Sequence, residues 1–210
     1  MGADADPQDP HAIRPALQGD LLVAAAALTD AFADDPLFRW FMRQDQHYEA
    51  MRARFFASLL SGLGLNGGTV SMSADGAGAA LWIPAPGPKP QPFLEELQLL
   101  PLLLGCTGLS RFGRLLTLRA AMDRAKEKQP HAYLWFLGVR ADRQGKGYGS
   151  RLLDATLAPL DRAGTIATLD TATPANLPLY RSRGFQITRE YRPGPDGPVI
   201  WAMRRSPKPL

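Results

Sequence analysis

Gly145, Gly147 and Gly149 alternate with larger residues in the stretch ADRQGKGYGSRLLDATL, residues 141–157. An apolar run, HAYLWFLGV (131–139), precedes them and a helix-patterned segment follows. Glycines placed between the end of a strand and the start of a helix gather unpaired N–H groups and the positive end of a helix dipole, which together suit a phosphate. Without Cβ atoms, successive amides can turn toward phosphate oxygens at close range. Arg140, Arg143 and Lys146 add positive charge nearby. The rival reading is an ordinary tight turn, and the glycines alone do not decide. Two familiar phosphate loops do not fit. A Walker A loop needs Ser or Thr after its lysine, and Gly147 follows Lys146. The dinucleotide fingerprint G-x-G-x-x-G, counted from Gly145, meets Ser150 at its last position.

Such a loop needs a strand before it and a helix behind it. The run 131–139 is almost wholly apolar, as expected of a strand buried on both faces. After the loop, Leu152, Leu153, Thr156, Leu157 and Leu160 fall on one face of a helix over 149–163. Gly164 stops that helix, and Pro159 is expected to kink it or end it early. TIATLDTA (165–172), a short helix near 176–182 and strands at about 184–191 and 198–204 complete this half.

The first half reads differently. After a loose start over 1–10, HAIRPA (11–16) predicts a short strand that Pro15 assigns to an edge or an end. Asp20 is the expected N-cap of a helix to about Phe32. DDPLFRWFM then opens a second helix, continuing with a break to about Leu63, where the glycines of GLGLNGG end it. TVSMS (69–73) and GAALWIP (78–84) predict a hairpin around Asp75-Gly76. APGPKPQP (85–92) is a Pro-rich connector, and helical segments at about 92–104 and 108–127 follow. No internal repeat or domain-sized linker interrupts the pattern, so residues 11–210 are expected to form a single mixed α/β domain.

Composition narrows the function classes. With 210 residues, 45% hydrophobic and 21% charged, the chain has the make-up of a globular protein with a real core. The net charge of +4 is spread along the chain without the concentrated basic patch that nucleic-acid binding needs. One cysteine, Cys106, rules out an internal disulfide and a cysteine-rich metal site; its leucine and glycine neighbours suggest a buried, inert thiol. No His/Asp/Glu cluster has metal-ligand spacing. Ser110, Ser150 and Ser182 lack a G-x-S-x-G context, and three histidines leave little for a triad, which argues against a serine hydrolase. The start MGADADPQDP lacks a signal peptide's basic and apolar regions, and the longest apolar stretch, Leu97–Leu109, is short for a membrane span. A cytoplasmic protein without a membrane partner is the expectation.

The spacing Gln144-x-x-Gly147-x-Gly149 after a strand ending LGV resembles the pyrophosphate loop of the GNAT superfamily of N-acetyltransferases. About thirty residues on, TPANLPLYRSRGF looks like that superfamily's second signature. With AFADDPLFRW near the start and VIWAMRR near the end, the pattern is similar to the puromycin-acetyltransferase-like small-molecule group. The resemblance is specific over about 133–204 and looser over 11–45. In the commoner pattern an Asn lies seven residues before the Tyr; here Thr173 holds that place and Asn176 lies four before Tyr180, a shift that group shares.

The resemblance implies an α/β (α+β) GNAT fold: a mostly antiparallel mixed sheet of about seven strands, helices on both faces, and a helical insertion at about 85–130. It implies acetyl-CoA as acetyl donor, no metal, a small-molecule amine as acceptor, and room for a homodimer. The cofactor would lie between two parting strands, 133–139 and 166–172, on Leu137, Gly138, Val139, Arg140, Gln144, Gly145, Lys146, Gly147, Tyr148, Gly149, Ser150, Asn176 and Tyr180. Gly138 would mark a bulge that frees the amides of Leu137 and Val139, or a packing gap beside an aromatic. Tyr180 is the candidate acid for the leaving thiolate, or a core aromatic. Asp170, Asp34 and Asp35 are candidate bases, or N-caps and solvated carboxylates; His131 and His47 are further candidates, and water is the alternative. Phe32, Leu37, Phe38, Trp40 and Phe41 beside Asp34 and Asp35 suggest a pocket for a cationic amine with an apolar body, or a plain core. A non-catalytic acyl-CoA-binding regulator and an ATP-binding module are the rival functions.

Overall fold

The computed structural model describes residues 9–63, 67–86 and 93–208, without the side chains of 62–63 and 93–98. The start over 1–8, residues 64–66 of the glycine-rich helix end and most of the Pro-rich connector (87–92) lie outside the described residues.

Strand β1 (Ile13–Pro15) leads through a 3-10 turn into α1 (Leu21–Ala31). Asp20 stands at the helix start but does not cap it. Its carboxylate is drawn back to the Leu17 N–H and to Arg14, at 2.8 and 2.9 Å, so the predicted N-cap ties the entry turn to β1 instead. Asp35 does cap: its Oδ1 accepts from the N–H groups of Leu37 and Phe38 at 2.9 and 3.1 Å, with Pro36 in the first turn of α2 (Pro36–Phe41). After α3 (Tyr48–Ser58) come the hairpin strands β2 (Thr69–Ser73) and β3 (Gly78–Ile83), joined around Asp75-Gly76 as predicted. The insertion forms α4 (Phe93–Ala125), broken at Gly108, whose φ of 64° and ψ of 170° separate the two predicted segments. Over 99–125 this helix is long and apolar enough, by length and mean hydropathy, to cross a membrane.

β4 (His131–Val139) feeds the glycine loop and α5 (Tyr148–Arg162). Pro159 does not end α5 at once: the helix runs on to Arg162, with the one donor that would have met the Ala155 carbonyl removed. β5 (Ile166–Thr171), α6 (Leu177–Ser182), β6 (Gln186–Tyr191) and β7 (Ile200–Arg205) follow.

The seven strands form one sheet in the order β1-β2-β3-β4-β5-β7-β6, and among them only β4 and β5 run parallel. Helices α1 to α4 cover one face around Leu28, Phe38, Phe56 and Leu81. Helices α5 and α6 cover the other, around Leu152, Leu153, Leu169 and Phe185. The expected fold class is therefore the observed one.

Strand β4 departs from its expected character. It is not wholly buried: fully buried and half-buried residues alternate from Ala132 to Val139, and Tyr133, Trp135 and Leu137 border a cavity. Nor does Gly138 make a bulge. Gly138 pairs regularly with Ala79, whereas the register slips where Leu81 opposes Phe136 and Trp82 opposes Leu134, leaving Trp135 extra. Side chains switch faces there. Ala132 and Leu134 point to α5, Trp135 and Phe136 to α1–α4, and Leu137 and Val139 to α5 again. Gly138 is a close-approach glycine, since a Cβ there would sit 2.7 Å from Ala31 Cβ and 2.9 Å from Leu28 Cδ2. Gly138→Ala should therefore push α1 off the sheet and cost about 1–3 kcal/mol, the usual range for overpacking. Urea unfolding measures this, and an unchanged midpoint would show that α1 yields freely.

Candidate active site

The parallel pairing of β4 with β5 ends at Leu134 opposite Leu169, and beyond it the strands diverge. On the β3 side, Arg140 donates its N–H to Ala77 O at 2.9 Å. Alternation along the strand then turns the N–H groups of Leu137 and Val139 to the opposite edge, where β5 has left. Two strand amides thus face an opening.

The glycine loop sits at the end of β4. Gly145 (φ 73°) and Gly147 (φ 86°) are both left-handed, and a Cβ built on either meets nothing within 4 Å. Among the described residues, the amides of 145–150 find no acceptor within the chain. With the N-terminus of the 15-residue α5 behind them, they form a cradle for an anion. Gly149 is less open, its virtual Cβ lying 3.4 Å from Leu179 Cδ2. The side chains of the loop have other tasks. Gln144 Nε2 donates to Val139 O at 3.1 Å and folds the loop onto its strand. Arg140 pairs with Asp142 at 3.2 Å, Arg143 with Asp142 at 3.5 Å, and Lys146 Nζ donates to Asp142 O at 3.0 Å, so the basic rim is held by one aspartate region. Tyr148 is buried, donates to Asp75 Oδ2 at 2.6 Å and stacks on His11. Its amide faces the cradle while its ring anchors the loop. Ser150 makes no side-chain hydrogen bond among the described residues.

Between α4, α2 and the sheet lies a cavity of about 950 Å³ that reaches the strand parting. Phe32, Leu37, Phe38 and Phe41 line it, as do leucines of α4; Trp40 does not, and stacks under Arg114 instead. Phe38 and Phe41 are at the same time core residues, so both readings of that aromatic stretch hold in part. Asn176, at the entry to α6, has no capping bond and lines the cavity. Tyr180 lies one turn further, 5% exposed and edge-on to Phe185. Burial, with Asp35 second, holds its phenol well above the usual range, so it keeps its proton.

The candidate bases separate by environment. Asp34 is exposed and paired with Arg39 at 2.7 Å. Asp35 is half-buried, with Oδ1 held by α2 amides and Oδ2 receiving the Thr173 hydroxyl at 3.2 Å; desolvation raises its pKa against those bonds. His47 is exposed at the start of α3, and His131 is buried with Nδ1 2.7 Å from Gln129 O. Asp170 is different. It stands just past the last β4–β5 pair and lines the cavity, with Tyr133 donating to Oδ2 at 3.2 Å and Tyr191 to Oδ1 at 2.9 Å. Burial pushes its carboxyl up to about 6 despite those two bonds. Neither tyrosine stands out in sequence, where 37 and 21 residues separate them from Asp170. Cys106 is buried, its thiol raised to about 11 by burial, in keeping with an inert role.

Comparisons with known proteins name the family to which this strand parting and glycine cradle belong. Residues 95–185 match the acetyltransferase (GNAT) family. An N-acetyltransferase of Schizosaccharomyces pombe of undetermined role is 30% identical over 181 residues, covering 79% of this chain and 70% of that protein. Among solved structures, a histone acetyltransferase HPA2 and related acetyltransferase from Corynebacterium glutamicum superposes with a TM-score of 0.71 at 23% identity, covering 94% of this chain and 97% of the other. A Drosophila melanogaster polyamine N-acetyltransferase superposes at 0.61 with 16% identity, covering 93% and 99%; at such identities these two speak for the fold alone. The chain belongs to the GNAT family and is an acyltransferase.

Proposed function

We propose that this enzyme moves the acetyl group of acetyl-CoA onto the amine of a small molecule with an apolar body, by direct attack in a ternary complex. The observation that carries the reading is the placing of three features along β4 and the loop that follows it: the apolar cavity of about 950 Å³, which reaches Leu137, the exposed amide edge, and the cradle of 145–150. The thioester supplies an activated acetyl carbon. The amides of 145–150 hold the pyrophosphate, with Gln144 and Tyr148 fixing the loop. The free N–H groups of Leu137 and Val139 hold the pantetheine arm, and one of them stabilises the carbonyl oxygen as it becomes an oxyanion. The amine nitrogen bonds to the acetyl carbon and the C–S bond breaks. Tyr180 gives its proton to the departing sulfur, and the nitrogen sheds one proton to restore the balance. Asn176 lies at the same opening and contacts the cofactor.

Free-thiol release from acetyl-CoA with an amine panel tests this. Benzylamine and hexylamine should turn over faster than an aminoglycoside or a lysine-rich peptide, because the cavity wall is mostly apolar. Best activity on the aminoglycoside or peptide, with the apolar amines inert, would overturn the acceptor class. Binding of CoA without turnover of any amine would leave a regulator in place of an enzyme, and ATP displacing CoA would point to a nucleotide module.

A further inference from the structure

Four polar side chains from three strands share the sheet face that floors the cavity: Tyr133 of β4, Thr168 and Asp170 of β5, and Tyr191 of β6. The cavity wall is mostly apolar, and these four form a polar cluster in its floor; Arg119, Asp123, Lys126, Glu127 and Arg204 add charged groups elsewhere in the wall. The centre of the cluster is a half-buried carboxylate donated to by two neutral hydroxyls, one on each oxygen. Among the described residues no arginine, lysine or histidine forms an ion pair with it. The Thr168 hydroxyl beside it, 7% exposed, has no hydrogen-bond partner among the described residues.

Burying a carboxylate without a counter-ion is costly, and a fold keeps such a group where something else supplies the charge. Two of the neighbouring carboxylates are already used. Asp35 caps α2 and receives Thr173, while Glu127 pairs with Arg204 at 3.1 Å. Asp123 also lines the cavity but is exposed, on the last turns of α4. Asp170 accepts one hydroxyl on each oxygen and keeps further lone pairs toward the cavity. It is also the first β5 residue beyond the last parallel pair, beside the edge that carries the free amides of Leu137 and Val139.

We propose that Asp170, positioned by Tyr133 and Tyr191, receives the ammonium group of the acceptor, with the Thr168 hydroxyl as a second contact, so that the acceptor is a primary amine on an apolar body; the bound ammonium loses one proton to solvent to become the neutral nucleophile, and the second leaves after the C–N bond has formed. This rests on the acetyltransferase reading and names the residue that selects the substrate. The ionised carboxylate pairs with the cation, and the apolar wall takes the rest of the molecule. A neutral or anionic acceptor would leave the buried charge uncompensated, which is the basis of selection.

The test is Asp170→Asn, assayed with the most active amine of the panel. The amide keeps the size and planarity of the carboxylate and can still meet both tyrosines. Amine kcat/KM should fall about a hundredfold, the usual effect of removing one partner of a buried charge pair, while acetyl-CoA affinity stays within about twofold. The thermal midpoint should hold or rise, because an uncompensated buried charge is gone. A merely structural Asp170 would instead lower the midpoint. Wild-type kcat/KM in the variant, or loss of acetyl-CoA affinity together with stability, overturns the proposal while leaving the acetyltransferase reading intact. If the wild-type enzyme acetylates no amine, the acetyltransferase reading fails first and the assignment of Asp170 falls with it.

Discussion

Replacing Gly147 by asparagine is expected to abolish coenzyme A binding at micromolar concentrations while leaving the fold in place. Gly147 sits at φ 86°, and a Cβ on it points into open space, the space the cradle amides of 145–150 surround. A side chain there occupies the volume of a phosphate oxygen and turns the neighbouring amides away from it. Two lost hydrogen bonds to a charged group, each worth about 1.5–3 kcal/mol, correspond to roughly a hundredfold or more in affinity. Valine would block the space more fully, but a β-branched residue at positive φ strains the backbone and confuses lost binding with lost fold. Asparagine tolerates the left-handed region, so the thermal midpoint should move by only a few degrees, as about 1 kcal/mol does in a chain of this size. Calorimetric titration with CoA measures the affinity. Wild-type affinity in the variant would remove the pyrophosphate from the loop.

That position illustrates what sequence could and could not convey. The cradle was legible because its determinants are local: glycines, a strand before them and an amphipathic helix behind. The left-handed φ of Gly147 was not, and it decides which substitution is a fair test. On β4, the unbroken run HAYLWFLGV hides its own phase change, because every residue from Ala132 to Leu137 is apolar whichever face it takes. The eye goes to Gly138 as the bulge, whereas the extra residue is Trp135 and Gly138 serves the contact with α1. Asp35 was readable as a cap from the Asp-Pro pair alone. Asp20 was not, since its carboxylate is claimed by Arg14 and the Leu17 amide, partners that the path of the chain selects. The polar cluster around Asp170 was legible only at its centre. Tyr191 reaches it because β6 lies at the sheet edge beyond β7, an ordering that no local periodicity encodes.

Tyr180→Phe should slow turnover about a hundredfold, the lower range for general acid catalysis, with acetyl-CoA affinity nearly unchanged. The ring packs edge-on to Phe185 within the core over α5 and α6, and phenylalanine keeps that contact. What disappears is one proton at the cavity wall. Burial, reinforced by the charge of Asp35, disfavours the phenolate, so the folded-state pKa lies above the ordinary value near 10 for a phenol. A group with a raised pKa holds its proton throughout the range below it, and the acid is therefore available at every pH from 6 to 9. The rate deficit of the variant should accordingly be uniform across that range, without the alkaline fall that titration of a normal tyrosine would begin to impose. Stopped-time assays of thiol release at saturating acetyl-CoA give the profile. If Tyr180→Phe matches the wild-type rate from pH 6 to 9, the tyrosine is a packing residue and the sulfur takes its proton from water.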